Sequence, residues 1–67
     1  MRELKVLTGQ TVVVASEAAT LRGVLESATR SFITLVDAVE VGGPNPAPIA
    51  GVVLIPAARV NYVQAVV

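Results

Sequence analysis

The stretch Leu21-Arg22-Gly23-Val24-Leu25-Glu26-Ser27, followed after a short turn by Phe32-Ile33-Thr34-Leu35-Val36-Asp37-Ala38-Val39-Glu40-Val41, decides how this chain folds. In its first half Leu21, Gly23 and Leu25 point one way while Arg22 and Glu26 point the other, the period of a half-buried strand over Thr20–Ser27. A glycine in mid-strand gives up packing, so Gly23 marks a sharp bend or a close backbone approach. Ala28-Thr29-Arg30-Ser31 turns the chain, and the third strand, Phe32 to Val41, is long for a small domain. Ile33, Leu35, Val39 and Val41 share one of its faces, which Asp37 interrupts; such an interruption signals a bulge or a hydrogen-bonded structural acid. Asp37 and Glu40 do not share a strand face, so they make no acid/base pair.

Outward from this pair, Thr11-Val12-Val13-Val14-Ala15 after Gly9 reads as the first strand, and Ser16-Glu17-Ala18-Ala19 as the turn after it. Leu4 and Leu7 fit one helical turn, while Leu4 and Val6 fit a strand. Gly42-Gly43-Pro44-Asn45-Pro46-Ala47-Pro48 is a loop, stiffened by alternating prolines toward an extended conformation. Gly51-Val52-Val53-Leu54-Ile55 is a continuous apolar run, which predicts a fourth strand buried on both faces. Pro56 has no donor and ends its ladder. Ala57-Ala58 is a tight connection, and Arg59 to Val66 forms a fifth strand. Fourteen valines favour pleated sheet throughout. The expectation is one all-β domain over residues 1–67, a small five-stranded strongly bent barrel of SH3-like or OB-like type.

A 67-residue chain buries only roughly 60% of its unfolded surface and is marginal alone. With neither Cys nor His, it has no disulfide and no usual zinc site to staple it, and we expect no metal and no cofactor. Yet 54% of its residues are hydrophobic and 15% charged, against about 25% charged in an ordinary domain. Ten charges do not cover such a body, so part of the apolar surplus faces another protein, most economically another copy. Zero net charge gives no long-range pull on nucleic acid, and 3% aromatics make no wide stacking platform. The uncharged stretch Val41 to Ala58 has transmembrane length, but it holds all four prolines and three glycines. The start, Met-Arg-Glu-Leu-Lys, lacks the apolar run of a signal peptide. The expectation is a soluble, cytoplasmic protein without a membrane partner.

Leu7-Thr8-Gly9-Gln10-Thr11-Val12, then Leu21-Arg22-Gly23-Val24-Leu25, then Ile33-Thr34-Leu35-Val36-Asp37-Ala38 resemble the first motif of the Sm/Lsm/Hfq superfamily. That motif has a leading glycine, a Gly-x-Leu on strand two and an apolar strand three ending in Asp-Ala. Gly51-Val52-Val53-Leu54-Ile55-Pro56-Ala57-Ala58-Arg59-Val60 resembles the second motif, with its Val-Ile-Arg-Gly core. Each is mostly apolar spacing; their order and separation carry the likeness over nearly the whole chain. The resemblance implies an Sm-like barrel with a short or absent amino-terminal helix. It also implies a homo-oligomeric ring of five to seven copies in which strand four of one subunit pairs with strand five of the next. Val52, Val53, Leu54, Ile55, Tyr62, Val63 and Gln64 then belong to the subunit interface, a natural cover for open apolar edges. In relatives the third and fifth loops face the pore, which here puts Arg30 and Arg59 there.

The departures bear on function. RNA-binding Sm proteins carry Met-Asn at the start of strand three, where this chain has Ser31-Phe32. The usual acidic residue of the preceding loop is replaced by Thr29, and the Arg-Gly of the second motif by Pro56-Ala57. This pattern resembles divergent bacterial and viral members, and the Ala- and Val-rich style suits a phage of a high-GC host. Arg30 and Arg59, repeated around a ring, give a circle of guanidinium groups able to bind phosphate or stack on bases; as single residues they are ordinary solvated turn charges. Phe32 is placed to stack on a base, but a small core has more need of an aromatic, so packing is the expectation. Tyr62 suits an interface with its hydroxyl at the rim.

Nothing in the chain supports catalysis. Three readings stay open at this point: a ring binding single-stranded RNA through Arg30, Ser31, Phe32 and Arg59; a purely structural ring or viral scaffold part; and a ring holding a small anionic nucleotide between subunits.

Overall fold

β-Branched residues at Thr11, Val12, Val13 and Val14 favour extended backbone, and in a computed structural model describing residues 6–66 they open β1, Thr11–Ser16. Hydrogen bonding within the Ser16–Ala19 turn reverses the chain: Ser16 N–H donates to the Ala19 carbonyl at 3.0 Å, and the Ser16 hydroxyl donates to the same oxygen at 2.8 Å. β2, Thr20–Ala28, pairs antiparallel with β1, Val14 facing Leu21 and Val12 facing Gly23. Leu21, Gly23 and Leu25 are buried and Arg22 and Glu26 exposed, the alternation expected from the sequence. β3, Phe32–Glu40, returns along the other edge of β2.

The sheet bends where the β2–β3 register slips. Arg22 faces Val39 and Val24 faces Val36, so Gly23 alone stands opposite both Asp37 and Ala38. Asp37 is the extra residue of this bulge and has φ 53°, a left-handed conformation that Asp tolerates better than most non-glycine residues. Gly23 is required opposite it. A Cβ there would stand 3.0 Å from the Val36 carbonyl oxygen and 3.1 Å from Ala38 Cα. A second slip, with Leu25 facing Leu35 and Ser27 facing Thr34, makes Glu26 an extra residue on β2.

The bulge at Asp37 also corrects the sequence reading of β3. An inserted residue reverses the alternation, so Ala38 is buried after Ile33 and Leu35, while Val39 and Val41 are only half-buried. Asp37 itself is exposed and forms the bulge rather than a buried structural acid. We expect Asp37→Val to cost about 1–2 kcal/mol, because a β-branched side chain resists the left-handed region. Asp37→Gly should match or exceed the native stability. Equal denaturant midpoints for the two variants would show that the conformation carries no strain.

The proline loop does not simply project. Ala47–Pro48 forms a two-residue β4 against the end of β3, with Val39 facing Pro48 and Glu40 facing Ala47, and Ile49 N–H donates to the Ala38 carbonyl at 2.8 Å. β5, Val53–Pro56, pairs with the beginning of β3. β4 and β5 therefore share one edge of β3, and β2 takes the other along its length. A 3-10 turn, Ala57–Arg59, leads to β6, Val60–Ala65, which pairs with the free edge of β1. The sheet order is β4-β3-β2-β1-β6 with β5 on β3. The expected fourth and fifth strands are β5 and β6; β4 is additional, and Arg59 lies in the turn rather than the last strand.

Val12, Val14, Leu25, Ile33 and Leu35 are fully buried and form the centre of the core. No aromatic residue joins that cluster. Phe32, expected to pack, is 44% exposed; the bent sheet closes around aliphatic side chains alone. β5 corrects a second expectation. Only Ile55 is buried there, Val53 is half-buried, and Val52 and Leu54 stand 58% and 61% exposed, so one face of the run is covered within the chain and the other is open.

At the start of the described residues, Val6–Gly9 form a turn, with Gln10 N–H donating to the Leu7 carbonyl and Gly9 N–H to the Leu25 carbonyl. The choice between helix and strand around Leu4 lies outside the described residues. No helix among those described is long and apolar enough to cross a membrane.

Candidate nucleic-acid interface

The turn between β2 and β3 is built by one threonine. Thr29 N–H donates to the Phe32 carbonyl at 2.8 Å, and its hydroxyl oxygen accepts from Ser31 N–H at 3.2 Å and Phe32 N–H at 3.1 Å. A short hydroxyl side chain of this kind substitutes for backbone partners in a tight turn. The result presents Arg30 and Ser31, both exposed, at the tip. The 3-10 turn docks against it: Ala57 N–H donates to the Ser31 carbonyl at 2.8 Å, continuing the ladder in which Phe32 faces Pro56. At its far end the Arg59 carbonyl accepts from Glu17 N–H at 3.1 Å. Arg30, Ser31, Phe32 and Arg59 thus lie on two hydrogen-bonded loops where β3 begins, all four exposed.

Arg59 also lines a largely apolar pocket of about 180 Å³ with Ala18, Ala19, Leu21, Leu54 and Pro56. Sequence reasoning missed both this pocket and the part played by Thr29. The hydroxyl at Thr29, two residues before Ser31 in a turn, is a readable signal. The pocket is not, since it depends on a contact between turns some forty positions apart.

Among the described residues the outer edges of β4, β5 and β6 have no partner strand, and on the last two the groups that turn outward follow from the register. On β5, Ile55 faces Ile33 and Ala57 donates to Ser31, so the backbone groups of 53, 55 and 57 turn to β3. Those of Leu54, and of Val52 in the same parity, turn outward. On β6, Gln64 faces Val13 and Val66 N–H donates to the Thr11 carbonyl, which leaves the backbone of Val63 and Ala65 outward. Of the residues expected at an interface, Val52, Leu54, Tyr62 and Gln64 expose their side chains. Val53 and Val63 are half-buried against the core. Ile55 lies differently from the others: its side chain is 6% exposed within the core and its backbone is engaged by β3.

The bent six-stranded all-β sheet, with open edges on its last two strands, has the Sm fold, as comparison with a solved structure shows. The chain's structure is similar to the crystal structure of a heptameric archaeal Sm protein, with TM-score 0.86 and 24% sequence identity, covering 98% of each chain. No protein-family model and no curated protein sequence matches it.

Proposed function

We propose that copies of this chain close into a ring by pairing β5 of one with β6 of the next, and that the ring binds single-stranded RNA without catalysis. Arg30, Ser31, Phe32 and Arg59 of each copy would make the contact. The observation that supports assembly most directly is the pair of open edges flanked by exposed Val52, Leu54 and Tyr62 in a chain short of charge. Their outward groups match in spacing. An antiparallel ladder that sets Leu54 against Val63 sets Val52 against Ala65. The β1–β6 register slips at Asn61 and Pro56 has no N–H to donate, so the ladder ends before that pair.

Head-to-tail contacts of this kind close when the rotation per copy divides the circle. Five to seven copies suit the barrel, and the heptameric archaeal Sm protein favours seven. We place the ring in the cytoplasm, in a bacterial or phage setting that accords with its divergence from the RNA-reading motif.

RNA binding is supported by two exposed arginines and an exposed aromatic on segments joined by the Ala57–Ser31 hydrogen bond. Titration with U-rich and A-rich oligomers at low salt tests it. Affinity should fall as salt rises, and Arg30→Ala and Arg59→Ala should each weaken binding and flatten the salt slope. Absence of salt-sensitive binding to either oligomer sinks the RNA reading. The structural ring then takes its place, a reading favoured by the replacement of Met-Asn and Arg-Gly by Ser31-Phe32 and Pro56-Ala57. Arg59, at the edge of its apolar pocket, is among the described residues the one cation there for a small anionic ligand, and calorimetry against a nucleotide panel separates that case.

A further inference from the structure

Among the described residues three strands lie at sheet edges, and they are not alike. β5 and β6 offer outward N–H and C=O groups in register, as described above. On β4 the register gives the opposite result. Ile49 N–H donates to the Ala38 carbonyl and Ala47 faces Glu40, so residues of odd number turn their backbone groups to β3. Positions 46 and 48 turn outward, and both are proline. Pro48 lies within the strand, and Pro46 continues the same parity one step before it. Beyond them, Gly51 with φ 82° turns the chain away. The outer edge of β4 therefore carries carbonyl acceptors and no proline-position donors. All residues from Gly42 to Val52 are exposed, and Val41 to Ala58 contains no charge. An uncharged, exposed edge of this kind would ordinarily recruit another strand, since charges and prolines are the usual means of blunting one. Charge is absent here, and proline stands where donors would be.

We propose that Pro46 and Pro48 are an assembly guard: they close the β4 edge to strand pairing, so that copies associate through β5 and β6 alone. This explains why the prolines alternate. Spaced by two, they remove donors from one side of the strand while leaving Ala47 and Ile49 free to bond to β3. The guard does not depend on the ring or on RNA binding, because it follows from the register of one chain.

The test restores the donors. Pro46→Thr/Pro48→Thr should convert a single species, seen by light scattering and sedimentation, into heavier species whose mass rises with concentration. Pro44→Thr, at the bend outside the paired register, should leave the wild-type mass unchanged. Far-ultraviolet circular dichroism and thermal melting establish whether the double variant is folded; if it is not, Pro48→Thr alone should show the same concentration dependence, to a smaller extent. A folded variant with the wild-type mass at every concentration overturns the proposal, as does equal association by Pro44→Thr. Should the wild-type protein itself be a monomer, the ring reading fails, while the guard is still judged by the difference between wild type and variant.

Discussion

Gly23→Val is expected to cost this chain about 3 kcal/mol, the upper end for atoms inserted into a well-packed interior. The first added atom, Cβ, would stand 3.0 Å from the Val36 carbonyl oxygen and 3.1 Å from Ala38 Cα. Both are backbone atoms of the neighbouring strand, so no side chain can rotate aside to make room. Relief requires β2 and β3 to move apart at the bulge, which loosens the ladder that holds the sheet's bend. A chain of this length has a net stability of only about 3–10 kcal/mol, so the loss removes a large share of it. Gly23→Ala should cost less, about 1–2 kcal/mol, because the neighbour must yield by a few tenths of an ångström and no branch follows. Urea denaturation reads both. A Gly23→Val protein with the wild-type midpoint would mean that the two strands do not approach as described.

That glycine was legible in the sequence because its cost was local: a residue that packs nothing in the middle of an alternating strand needs a reason nearby. Alternation over β1 and β2 was legible for the same cause. The two corrections on β3 and β5 have a different origin. Asp37 signalled an irregularity, but alternation counted across a bulge changes sign, and the sequence does not say on which side of Asp37 the count resumes. Alternation carried straight through Asp37 therefore puts Val39 and Val41 on the wrong face. The apolar run Val52 to Ile55 predicts cover on both faces, although a single chain covers only the side of Ile55; hydropathy does not distinguish cover by the same chain from cover by another. Residue type alone draws Phe32 toward the core, whereas it stands at the first position of β3, outside the aliphatic cluster that begins at Ile33. For the candidate site, residue types were readable and proximity was not. Arg30 and Arg59 lie twenty-nine positions apart, and only the bent sheet, through the Ser31–Ala57 hydrogen bond, joins their loops.

Leu54→Asp should disperse the assembly while leaving each chain's core unchanged. Leu54 is 61% exposed in the single chain, and its backbone N–H and C=O face away from β3, so its side chain holds little of the chain's own packing. Substitution at such a position ordinarily alters folding by less than about 0.5 kcal/mol. In the proposed ring the same position is covered by β6 of the next copy. Wild type then gains roughly 1.5–3 kcal/mol per interface from burying the leucine, whereas the variant loses that burial and must desolvate a carboxylate against an apolar edge strand. Every interface of a closed ring carries the change, so the losses accumulate and no partial ring is favoured. Light scattering should report a fall to the mass of one chain. The melting temperature should drop and lose its dependence on protein concentration, since stabilisation by partner binding is lost. Ser27→Asp, exposed on β2 away from both open edges, should change neither mass nor melting behaviour. A Leu54→Asp protein that keeps the wild-type mass would show that the open edge of β5 is not where the copies meet, and the β5–β6 ladder would have to be abandoned. If it disperses and RNA binding disappears with it, while Arg30 and Arg59 are intact, the arginines act only when repeated around a circle. If it disperses and single chains bind RNA as tightly as before, the two loops suffice and the ring serves another end.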